Sequence, residues 1–168
     1  MKIFYLGLIV ITFLGCKNTT KDVSANRDSI NATLDNWHAA AAKADFETYF
    51  KLIADDGVFI GTDATENWNK KDFMVWAKPY FDKGKAWNFT SIERHIYFDK
   101  SNELAWFDEL LSTQMKICRG SVVLVKENNE WKIKHYVLSM TIPNELVDTI
   151  VRIKAPIEDE LMNKLNSK

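Results

Sequence analysis

Apolar residues recur at spacings of three and four early in the chain and at spacings of two through most of its second half. Ile30, Leu34, Trp37, Ala40, Ala41 and Ala44 fall on one side of a helix. Asp28 or Ser29 can cap it by accepting from its first free N–H groups. A second, short helix is predicted over "DFETYFKLIA", with Asp45 as N-cap and Phe46, Tyr49, Phe50 and Ile53 as its apolar positions. "GVFIGTD" reads as a strand bounded by glycine. "NWNKKDFMVWAKPYFDKG" reads as a third helix, capped by Asn69, ended or kinked at Pro79 and stopped by Gly84.

From Trp87 the period changes to two. "WNFTSIERHIYF", "LAWFDELLSTQ", "ICRGSVVLVKE" and "EWKIKHYVLSMTI" are four strand candidates, and the short links "DKSNE" and "ENN" require antiparallel pairing. Pro143 closes the last strand. Asn144 then caps a C-terminal amphipathic helix bearing Leu146, Val147, Ile150 and Val151, which Pro156 interrupts. Helix, helix, strand, helix and four strands predict an α+β fold, with helices grouped on one face of a curved antiparallel sheet.

The N-terminus follows a different pattern. "MKIFYLGLIVITFLGC" holds an apolar run from Ile3 to Leu14, shorter than the roughly 20 residues a spanning helix needs and of signal-peptide length. It ends in "FLGC", which resembles the lipobox of bacterial lipoproteins, although Phe13 and Leu14 stand where a Leu and a small residue are usual. The resemblance implies that residues 1–15 are a lipoprotein signal peptide and that Cys16 is the lipidated first residue of the mature protein. Lys17, rather than an Asp, follows the Cys. In such lipoproteins this favours the outer membrane of the bacterial envelope, on its periplasmic side or at the surface. The polar, Pro-free residues 16–28 read as a tether.

Composition narrows the class. The chain has 168 residues, 46% of them hydrophobic and 27% charged, which suits one folded domain with extensions and excludes a disordered chain. A net charge of −1 without a basic stripe excludes nucleic acid as a partner. Six Trp support a large core or an aromatic-lined cavity. With Cys16 acylated, Cys118 has no intramolecular partner and is expected in the core.

"GTDATENW", "ERHIYF", "AWFDELL", "RGSVVL" and "EWKIKHYVLSMTIPN", in this order of elements, resemble the SnoaL-like domains of the nuclear transport factor 2 superfamily. The resemblance covers residues 29–144 and leaves 145–168 as a helical extension. It implies a cone in which the sheet wraps a long helix and leaves a pocket. It also implies a dimer, as in many members, and functions that range from isomerases and dehydratases to association domains.

Candidate chemistry centres on Asp108 and Glu109, adjacent carboxylates in an apolar strand, where an unpaired charge is costly to bury. Neighbours in a strand face opposite ways, so one points into the cone and one out. Lys132 and Lys134 must reach water, which turns His135 inward. Arg119 and Arg94 are the arginines on neighbouring strands. We expect Asp108 inside with Trp106, with Arg119 as partner and His135 as second proton carrier; a register-fixing Asp–Arg pair is the structural alternative. His38 either approaches the pocket or is exposed, and the pattern leaves the face of His95 open. Trp37, Tyr49, Trp76 and Trp106 are the candidate ligand-binding aromatics. The three His lack metal-ligand spacing, Asp63 and Glu66 read as a capping pair, and no cofactor motif is present.

The function expected is a membrane-anchored domain that binds a small apolar or carbonyl-bearing molecule inside the cone. The alternatives are a non-catalytic association module and a cofactor-free isomerase or lyase using Asp108, Arg119 and His135. A homodimer through the outer sheet face is expected, because Leu138 and Met140 alternate in phase with Lys132 and Lys134.

Overall fold

The computed structural model describes residues 19–167. Cys16 and the signal-peptide stretch lie outside the described residues. Helix α1 spans Thr19–Ala42 and α2 spans Phe46–Lys51; strands β1 (Ile53–Ile60) and β2 (Asn67–Asn69) precede helix α3 (Lys70–Asp82). Strands β3 (Thr90–Phe98), β4 (Leu104–Thr113), β5 (Lys116–Glu127) and β6 (Glu130–Met140) come next, and a 3-10 turn at Asn144–Leu146 leads into α4 (Val147–Asn166).

The fold is α+β, with N-terminal helices against a curved six-stranded sheet of order β2-β1-β6-β5-β4-β3. The last four strands pair antiparallel as expected, but β1 runs parallel to β6, so the sheet is mixed. Strand β2 is only three residues long, too short to show a period in the sequence, and it pairs with the end of β1. The β5–β6 turn places Asn128 and Asn129 at φ 51° and 65°. Two successive left-handed residues are what a tight type I′ hairpin needs, and Asn tolerates that region.

Asp45 caps α2 through Thr48 N–H, and Asn69 caps α3 through Asp72 N–H. Gly84, at φ 69°, ends the turn after α3 with its N–H on Phe81 O. Several boundaries differ from expectation, including the start of α4, which lies at Val147 with no side-chain cap from Asn144. Helix α1 starts at Thr19, inside the stretch read as a tether, and runs through Asp28 and Ser29. Ile53 and Ala54 open β1 rather than closing α2. Pro79 and Pro156 lie inside continuous helices. Each proline frees the carbonyl four residues earlier; Val75 and Arg152 are exposed there, so water can satisfy the freed oxygens.

The core lies between the helices and the inner sheet face. Ile30, Leu34, Trp37 and Ala41 of α1 meet Phe107 and Leu111 of β4, Val122 and Leu124 of β5, and Ile133 and Tyr136 of β6. Among the described residues, α4 buries no side chain.

Candidate functional site

Strand β4 alternates strictly: Ala105, Phe107, Glu109 and Leu111 are buried, whereas Trp106 is exposed and Asp108 and Leu110 are partly so. Glu109 therefore faces the interior and Asp108 faces out, the reverse of the expectation. The carboxylate of Glu109 is fully buried yet well partnered. Its Oε1 contacts His38 Nε2 at 2.9 Å and accepts from the Tyr136 hydroxyl at 3.5 Å. Its Oε2 accepts from Arg94 Nε at 3.0 Å and Nη2 at 2.9 Å, a bidentate pair.

The elements converge here for local reasons. Arg94 and Glu109 are directly opposite in the β3–β4 register, and Glu109 is opposite Gly120 on β5. A Cβ on Gly120 would lie 2.7 Å from the Tyr136 hydroxyl and 3.2 Å from Glu109 Cγ, so only glycine leaves room for both. Asn31, Asp35 and His38 share one face of α1 at spacings of four and three. Arg94 Nη1 donates to Asn31 Oδ1 and to Asp35 Oδ1, each at 3.0 Å.

Burial alone would raise the Glu109 pKa, but the His38 hydrogen bond and the Arg94 charge outweigh it and hold the carboxyl below its ordinary value. A carboxylate kept ionised cannot serve as a general acid at neutral pH. The cluster fastens α1 to β3 and β4. Burial also pushes the hydroxyls of Tyr49 and Tyr136 well up, so both stay protonated.

The three residues expected to act together share the outer face instead. Asp108 contacts His95 Nδ1 at 3.1 Å, and His95 Nε2 lies 3.1 Å from Glu93. Arg119 is exposed, and His135 is half-buried outside the core. Among the described contacts neither bonds Asp108. The cause in β6 is a bulge: Leu124 pairs with Ile133 but Val123 pairs with His135, so Lys134 is an extra residue. Trp131 and Ile133 point inward as expected. Beyond the bulge the phase flips, so Tyr136 and Leu138 turn inward and His135 and Val137 outward; Met140, opposite buried Cys118, keeps the inner phase and is exposed at the strand end.

A separate feature lies where α3 meets β1 and β2. A cavity of about 140 Å³ is walled by Phe59, Trp68, Phe73, Trp76, Trp87 and Phe89. Trp68 and Trp76 approach to 4.7 Å between centroids, and Phe59 stacks on Phe73 at 4.1 Å. Leu138, turned inward by the bulge, and Met115 add apolar surface, and Thr62, Glu66 and Gln114 supply the polar lining. Of the four expected ligand-binding aromatics, only Trp76 is in this wall. Trp37 and Tyr49 are core, stacked at 4.8 Å, and Trp106 is on the outer face beside Tyr97. Asp63 and Glu66 do form a capping pair, Asp63 N–H donating to Glu66 Oε2 at 3.2 Å, in the β1–β2 hairpin rather than before a helix.

Among the described residues, no helix is long and apolar enough to cross a membrane. None of the curated proteins compared is significantly similar in sequence. Several solved structures are similar in fold. One is a nuclear transport factor 2-like protein of unknown function from Pseudomonas putida KT2440, at 15% identity and TM-score 0.61, covering 73% of this chain and 91% of that one. Another is a candidate scytalone dehydratase from Novosphingobium aromaticivorans, at 13% identity and TM-score 0.63, covering 73% and 89%. A third is a candidate calcium/calmodulin-dependent protein kinase II association domain from Xanthomonas campestris, at 19% identity and TM-score 0.52, covering 68% and 86%. At these identities the likeness carries the fold alone. Residues 30–143, more than half of the chain, match the SnoaL-like domain family, and the chain belongs to that family.

Proposed function

We propose that the chain is a membrane-anchored domain that binds a small molecule in the aromatic cavity between α3 and strands β1 and β2. The cavity carries this reading: six rings and two aliphatic side chains surround it, with few polar groups to orient a ligand. About 140 Å³ is close to the engineered cavity of about 150 Å³ that takes up benzene, so the ligand, or the part that enters, is ring-sized. The buried carboxylate does not compete as a reaction centre, because it is saturated by His38, Arg94 and Tyr136. Asp108 and His135 face away from the cavity, which removes the motive for the isomerase or lyase that would have used them.

The test is mass spectrometry of small molecules released from the purified protein, together with calorimetric titration of indole. Specific occupancy that is lost in Trp76→Ala is expected; an empty protein that gives no binding heat with indole would end the proposal. The anchor rests on the sequence pattern at Gly15–Cys16. Cys16→Ser is expected to abolish metabolic acylation and membrane fractionation, and unchanged acylation would refute it.

A second reading, an association module, is favoured by the outer sheet face. Tyr97 and Trp106 stack there at 6.1 Å while 47% and 44% exposed, and Leu104 and Ile117 are exposed as well. A homodimer through this face fits those residues and does not exclude the cavity.

A further inference from the structure

The aromatic cavity has a charge character that its apolar walls conceal. Its lining includes one charged side chain, Glu66, and no Lys, Arg or His. The carboxylate is positioned by the backbone. Glu66 Oε2 accepts from Asp63 N–H, and Gly61 N–H donates to Glu66 O at 3.0 Å, closing the hairpin loop. A Cβ on Gly61 would collide with the Glu66 carboxylate, so the glycine opens the space that the carboxylate occupies. Among the described residues, no cation and no hydrogen-bond donor lies on Glu66 Oε1.

An occupant would cover part of this half-buried carboxylate and strip that part of water. An anionic occupant would add repulsion, and a neutral apolar one would leave Oε1 desolvated without compensation. A cation would offset that charge, and the electron-rich faces of Trp attract cations further. The compact cavity disfavours a strongly hydrated primary ammonium and suits a group that is charged and apolar at once.

We propose that the cavity binds the trimethylammonium group of a small quaternary ammonium compound, with Glu66 as counter-charge and Trp68, Trp76 and Trp87 as walls. This rests on the ligand-binding reading above and assigns the ligand class of the same site.

The test uses the full chain in an uncharged maltoside detergent, with calorimetric titration of choline and of 3,3-dimethylbutan-1-ol, which has the same shape without the charge. Choline is expected to bind about tenfold more tightly than the alcohol, equivalent to ~1.4 kcal/mol. Glu66→Gln keeps the oxygen that accepts from Asp63 and is expected to erase most of that ratio. Phosphatidylcholine vesicles, against vesicles of the same lipid backbone without the choline group, form a separate arm that tells a headgroup from a free solute. Discrimination for the trimethylammonium group in either arm supports the inference. Equal binding of choline and the alcohol, together with equal binding of the two kinds of vesicle, overturns it, as does an unchanged preference in Glu66→Gln. Binding of indole without any trimethylammonium preference overturns this inference and leaves the ligand-binding reading standing; no binding of any probe overturns both.

Discussion

Replacing Glu109 by Gln tests whether the buried cluster is a structural fastening. The substitution keeps volume and one carbonyl oxygen but removes the charge facing Arg94. The Arg94 side chain is 7% exposed, so its guanidinium would stay buried with Asn31 and Asp35 as its remaining partners. Breaking a buried pair in this way costs ~3–5 kcal/mol, and the surviving Asp35 contact places the expected loss near the lower end, ~3 kcal/mol. For a chain of this size each kcal/mol moves the melting midpoint by about 2–4 °C, so the midpoint should fall by roughly 6–12 °C. Chemical denaturation of the single mutants Glu109→Gln and Arg94→Met and of the double mutant closes a cycle. The double mutant should be less destabilised than the two single losses added together. The pH dependence provides a second arm. The folded-state pKa of Glu109 is depressed, so its stabilisation is fully present above the unfolded value of about 4.3 and is lost as pH falls through the folded value. The penalty of Glu109→Gln should therefore be large at neutral pH and shrink in acid. A loss under about 1 kcal/mol at pH 7, or additive single mutants, would refute the account.

Gly120→Ala should destabilise by ~1–3 kcal/mol through overpacking against the Tyr136 hydroxyl, and Tyr136→Phe in the same chain should recover part of it; equal melting of Gly120→Ala and wild type would count against the close approach. The His95 pKa is raised, chiefly by its hydrogen bond to Asp108 and further by Glu93, so any stabilisation it gives exists below the unfolded value of about 6.5 and is lost as pH rises through the folded one. An NMR titration should show that elevation and its reduction in Asp108→Asn; an identical His95 midpoint in the mutant would contradict the assignment. Trp106→Arg should leave the fold intact and dissociate a homodimer, read by sedimentation of the full chain in detergent, whereas a wild-type protein that sediments as a monomer would dispose of the outer-face interface.

The parts of the fold visible in the sequence are those whose signal is periodic or local. The apolar stripe of α1, the caps at Asp45 and Asn69, the stop at Gly84 and the four long strands all come from side-chain spacing or turn chemistry. The site was harder to read because it depends on phase, and phase is a single binary choice per strand. Both faces of β4 carry large apolar residues, Phe107 and Leu111 on one and Trp106 and Leu110 on the other, so alternation alone does not say which face is inside. In β6 the phase is stated correctly by Lys132 and Lys134 and then inverted by the extra residue at Lys134, which the pairing with β5 and β1 reveals and the sequence does not.

One signal does point to Glu109 without coordinates. Asn31, Asp35 and His38 form a polar stripe at helical spacing beside the apolar stripe of α1. Arg94 and Gly120 sit at the positions that β-hairpin registers bring opposite Glu109. A carboxylate flanked by an arginine on one strand and a glycine on the other, under a helix offering Asn, Asp and His, has the partners that make burial tolerable; among the described residues Asp108, on the outer face, pairs with His95. The bulge has a second effect. By turning Tyr136 and Leu138 inward it supplies the hydroxyl that completes the Glu109 cluster and the aliphatic side chain that closes the aromatic cavity. The residue that defeats alternation in β6 thus links the fastening of α1 to the shape of the candidate binding site.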